Sequence, residues 1–139
     1  MVYKVNYDVT TRPKITQSKD SYKAFLESWN MNSIEIQEEF KIILINNANR
    51  VLAISTISRG GMAGTIVDIR LIFATAIKLC ASGIIVAHNH PSGELKPSEI
   101  DIRTTKKLVD AGLLLDIKVL DHLIISKRGY YSFGDQGMI

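Results

Sequence analysis

His88 and His90 sit two residues apart where a short apolar run ends, and Asp101 follows beyond a polar loop. On a strand, residues i and i+2 point to one face, so the two imidazoles lie side by side while Asn89 faces the opposite way. Pro91 turns the chain aside, and Asp101 projects from the first turn of the next helix, returning a carboxylate to the histidines. Two neutral imidazoles and a carboxylate suit catalytic zinc, which keeps a fourth position open for water. A zinc held this way lowers the pKa of its water to about 7, giving a nucleophile at neutral pH. Iron and manganese accept the same donors.

The proton of that water needs an acceptor that later delivers it to a leaving group, and a carboxylate beside the metal serves without becoming a ligand. Spacing alone does not choose it. Glu38 opens a strand and can reach the end of the sheet, while Glu35, Glu39, Glu94 and Glu99 compete.

Plainer roles compete for the same residues. A lone histidine near a strand end is usually structural, and Ser98-Glu99-Ile100-Asp101 satisfies a helix capping box. A carboxylate turned to backbone amides is not expected to serve fully as a ligand as well, so geometry separates the two roles of Asp101. Asp121 and His122 are candidates to support the site, although His122 reads equally as an ordinary strand-end residue. Cys80 reads as a small hydrophobe packed on its helix rather than as a nucleophile.

The elements that position these groups follow from periodicity. Residues 2–9 alternate apolar and polar as a half-buried strand does, and Ser18 caps a helix to Asn30 with Tyr22, Phe25, Leu26 and Trp29 on one side. Segments 38–45 and 50–57 read as a hairpin about the turn NNAN. RGGMAG breaks the pattern before a helix over 66–80, and the run IIVA then marks a strand covered on both faces. Ser98 opens a helix that stops at Gly112 as a C-cap. Strands over 116–120, 123–126 and 130–133 complete a mixed sheet with helices on its faces.

With 139 residues, 46% hydrophobic and 22% charged, the chain fits a single domain, 1–139, with a packed core. A net charge of +3 gives at most weak attraction to acidic partners, because 14 acidic residues are interspersed among 17 basic ones. One cysteine excludes an internal disulfide and a cysteine-only zinc site, and suits a reducing compartment. The N-terminus lacks the apolar core of a secretory signal, so a cytoplasmic protein is expected.

The run HNHPSGELKPSEID resembles the metal-binding signature of the JAMM (MPN+, JAB-type) metalloproteases, His-x-His-Pro followed by Ser-x-x-Asp. With GTIVDIR, DHLIIS and GYYSF, the match narrows to the RadC-like bacterial branch over about residues 33–134. The resemblance implies that His88, His90 and Asp101 bind zinc, that Glu38 in QEEF is the catalytic glutamate, and that Ser98 helps polarise the scissile carbonyl. It implies a three-layer α-β-α fold with a mixed sheet, similar to the cytidine deaminases. Deaminase chemistry is not implied, since the H-x-E and P-C-x-x-C residues are missing.

A zinc-dependent peptidase or isopeptidase is therefore the expected activity, with an extended peptide adding a strand beside the one that ends at His90. The alternatives are a DNA-repair-associated module, for which Lys96, Arg103, Lys106 and Lys107 would contact phosphates, and a non-catalytic interaction domain. The intact motif argues against the last. The helix-hairpin-helix region common in RadC-type proteins is not expected in the roughly 30 residues before Ile34.

Overall fold

A computed structural model describes the backbone of residues 2–4, and residues 10–60 and 67–139 in full. Its described elements run β1 (Val2–Lys4), α1 (Ser18–Ser28), β2 (Glu39–Ile45), β3 (Val51–Arg59), α2 (Ile69–Lys78), β4 (Gly83–Asn89), α3 (Glu99–Leu115), β5 (Lys118–Ile125) and β6 (Tyr130–Ser132). The strands form one six-stranded sheet in the order β1-β3-β2-β4-β5-β6. Among the described strands only β4 and β5 pair in parallel, joined by α3, so the sheet is mixed as expected.

Alternation along the central strands divides the core in two. Ile43, Ile45, Ile85, Ala87, Leu123 and Ile125 face Phe25 of α1 and its C-cap Trp29, while Phe40, Ile42, Leu44, Ile84 and Val86 face α2 and Leu108 of α3. The result is a three-layer α-β-α arrangement in which β2 and β4 are buried along their whole lengths. β4 is hydrogen-bonded on both sides, to β2 and to β5, so no substrate strand can add beside it. Among the described strands, β1 and β6 are the outermost.

Several boundaries differ from the sequence reading. Residues 5–9 of the first expected strand and 61–66 of the glycine-rich stretch lie outside the described residues. Gln17, not Ser18, occupies the α1 N-cap, with Asp20 accepting the amides of Thr16 and Gln17; the Ser18 hydroxyl donates to Asp135 at 2.5 Å instead. Cys80 lies beyond α2, exposed and at φ 54°, and does not pack in the core. Gly112 is inside α3, where a Cβ would meet the Ile117 carbonyl oxygen at 2.3 Å; the αL cap is Asp116. The segments expected as two strands over 116–126 form the single strand β5.

Candidate metal centre

β4 carries His88 near the end of its buried run, on the face covered by α3, and His90 follows one residue past the strand. The two Nε2 atoms are 3.0 Å apart. His90 is oriented by its Nδ1–H, which donates to the Glu94 carbonyl at 2.7 Å, so Nε2 is left as the acceptor of the neutral ring. His88 is oriented by a 2.8 Å contact between its Nδ1 and His122 Nε2.

Ser98 caps α3, and the capping box closes as its sequence predicts: Ser98 Oγ accepts the Asp101 amide at 3.0 Å, and Asp101 Oδ2 accepts the Ser98 amide at 2.9 Å. The expected conflict between capping and metal binding does not arise. Each carboxylate oxygen has two lone pairs, and Asp101 also places Oδ1 3.3 Å from His88 Nε2 and Oδ2 3.3 Å from His90 Nε2. Burial pushes the Asp101 carboxyl up, but its contacts with the two imidazoles and the Ser98 amide outweigh this and hold it well below the usual carboxylate range.

Glu38 directly precedes β2 rather than opening it. Its segment is tied to β4 by Asn89, which is fully buried on the opposite face from the histidines. Asn89 Oδ1 accepts the Glu39 amide at 2.7 Å, while Nδ2 donates to the carbonyls of Ile34 at 2.7 Å and Gln37 at 2.9 Å. Strand alternation thus puts two imidazoles on one side of β4 and, on the other, the clasp that holds the Glu38 segment. Ligand atoms of Glu38, His88 and His90 all lie within 4.8 Å of one another, a group that could hold a metal ion.

These donors fit a cation. Glu38 lies within 4.8 Å of both imidazoles, Asp101 lies 3.3 Å from each Nε2, and acceptors this close repel unless a positive charge lies among them. A proton is the smallest such charge: hydrogen bonding to Asp101 raises the His90 pKa, burial opposes this, and the Glu94 carbonyl with the charges of Asp101 and Glu38 adds to the rise.

Three residues that build the site had little or no weight in the sequence. Asn89 looked like a spacer between two histidines, and Glu94 acts through its backbone carbonyl, which carries no sequence signal. Thr105 contacts both the Asp101 carbonyl and His122; its i+4 spacing from Asp101 was the available clue. Of the two supporting candidates, His122 does reach the site. Asp121 instead accepts from Ser132 Oγ and the amides of Gly134 and His122, tying the end of β6 and the segment after it to β5. Burial raises the Asp121 pKa against those bonds, and lowers that of His122 well below its ordinary value.

The family model for the RadC-like JAB domain matches residues 15–138. The chain belongs to the RadC-like JAB domain family. A UPF0758 protein of Flavobacterium johnsoniae is 47% identical over 134 residues, covering 94% of this chain and 56% of that protein. A UPF0758 protein of Porphyromonas gingivalis is 39% identical, covering 95% and 57% respectively. One from Alkaliphilus metalliredigens is 50% identical over 103 residues, covering 74% and 44%. This RadC-like JAB domain therefore spans about half the length of the curated relatives it matches. Among its described residues, no helix is long and apolar enough to cross a membrane.

Proposed function

We propose that this RadC-like JAB domain is a zinc-dependent hydrolase of amide bonds, a peptidase or isopeptidase, with His88, His90 and Asp101 holding the metal. The supporting observation is the convergence of imidazole and carboxylate lone pairs at 3.0–3.3 Å, with Glu38 close by. Zinc, when bound, supplies Lewis acidity and lowers the pKa of water.

Glu38 takes the proton of the attacking water and returns it to the leaving amine. Its position on a segment clasped by Asn89 holds the carboxylate near the imidazoles while leaving it outside the capping box that fixes Asp101. Ser98 Oγ accepts the Asp101 amide, so its own O–H is the group that donates to the developing oxyanion of a scissile carbonyl. The substrate is a peptide or an isopeptide-linked protein.

The test compares wild type with Glu38→Gln on zinc content and on cleavage of peptide and isopeptide substrates. Zinc should be retained while hydrolysis falls by about 10²–10⁴-fold. A Glu38→Gln protein that keeps full activity overturns the role of Glu38.

A nucleic-acid-associated role would rest on Arg103, Lys106 and Lys107, which are exposed on the solvent side of α3 while Thr105 and Leu108 face inward. Salt-dependent DNA affinity lost on substituting these residues together with Lys96 would favour it.

A further inference from the structure

Building on the metal-centre reading, we propose that Thr105 and His122 are positioning residues that fix the His88 tautomer, so that its Nε2 presents a lone pair, not an N–H, to the metal.

The deduction follows from counting hydrogens. Thr105 Oγ1 has one hydrogen and two close neighbours, the Asp101 carbonyl oxygen at 2.7 Å and His122 Nδ1 at 2.6 Å. A carbonyl oxygen only accepts, so the threonine hydrogen goes to Asp101; otherwise two oxygens would face each other without a proton. The proton between Thr105 and His122 must then belong to His122 Nδ1. A neutral imidazole carries one N–H, so His122 Nε2 is bare, and its 2.8 Å contact is with a His88 Nδ1 that donates. His88 Nε2 is therefore bare, and it points to His90 Nε2 and Asp101 Oδ1.

Packing keeps this order from being scrambled. Thr105, His88 and His122 are at most 3% exposed, so bulk water does not relay a proton to them. The His122 ring stacks on Phe133 with centroids 4.7 Å apart and meets Phe40 edge-on at 5.8 Å, which prevents a ring flip. The chain starts at the Asp101 carbonyl and returns to the Asp101 carboxylate by way of His88. The first turn of α3 thus provides one donor and also sets the proton position on its neighbour. Reversing any link reverses every link beyond it.

Thr105→Val keeps the shape of the side chain and removes the acceptor for His122 Nδ1–H. The favourable response is transfer of the His122 proton to Nε2, which turns His88 Nδ1 into an acceptor and puts an N–H where the metal must bind. Two measurements test this. Nitrogen NMR of the metal-free wild-type protein at mildly alkaline pH should find the hydrogens of His88 and His122 on Nδ1. Chelator competition should show zinc bound about 10–100-fold more weakly by Thr105→Val, with Thr105→Ser restoring wild-type affinity.

A His88 hydrogen on Nε2 in the wild type, or equal zinc affinity in Thr105→Val, overturns the inference. Should wild type bind no zinc, the metal-centre reading fails while the NMR pattern still decides the relay. Should Thr105→Val not fold, the wild-type NMR pattern still decides.

Discussion

Replacing Asn89 with alanine should cost this fold about 3–5 kcal/mol, although the side chain makes no contact with the metal position. Asn89 is fully buried and spends its amide on three backbone partners: the Glu39 N–H and the carbonyls of Ile34 and Gln37. Leaving a buried backbone group unpaired costs about 1–3 kcal/mol, and two of these bonds are in the dry interior while the Gln37 carbonyl is partly reachable by water. With a urea slope of about 2 kcal/mol per molar, the unfolding midpoint should fall by roughly 2 M. Asn89→Asp separates bonding from volume. It places a second acceptor against two carbonyls, so it should be at least as damaging as alanine, and less so in acid, where a protonated carboxyl regains one donor. Equilibrium urea unfolding followed by circular dichroism measures both variants. Midpoints within about 0.5 M of wild type for both would refute the clasp.

Three further outcomes follow from the same geometry. Gly112→Ala improves helix propensity by about 1 kcal/mol, but its Cβ would lie 2.3 Å from the Ile117 carbonyl oxygen, so a net loss of about 1–3 kcal/mol is expected on thermal unfolding; a more stable variant contradicts the close approach. Asp121 has its pKa raised by burial, so the folded state binds more protons between the unfolded and folded pKa values, and its contribution is lost as pH rises through the folded value. Asp121→Asn should abolish that part of the slope of stability against mildly acidic pH, and an unchanged slope assigns it to other groups. His90 is raised above 6.5, and a ligand must be bare, so metal binding near neutral pH should release a proton and weaken as pH falls. Calorimetry in two buffers of different ionisation heat reads this, and identical heats contradict it.

Local chemistry was legible where a residue's partners are near in sequence or dictated by periodicity. The His88–His90 pair follows from strand alternation, the hairpin from its asparagine-rich turn, and the Ser98 cap from the next turn of helix. Partners brought together by the fold were not. Asp121 and His122 look like a polar break between strands, yet both are buried in the middle of β5, satisfied by Ser132, Thr105 and His88 from other elements. Gly112 resembles a helix stop because glycine serves both termination and close packing, and only the path of β5 distinguishes them. That Asp101 both closes the capping box and lies 3.3 Å from two imidazoles was hidden for a related reason: sequence shows which groups compete for a carboxylate, but not that its lone pairs suffice for all of them.

Elemental mass spectrometry on protein purified without added metal tests the central claim most directly, comparing wild type with His88→Ala and Asp101→Ala. About one zinc per chain in wild type, lost in both variants, is the predicted result. A wild-type protein that holds no metal even after zinc is supplied would contradict the account, and would leave Ser98 and Asp101 as a helix cap alone.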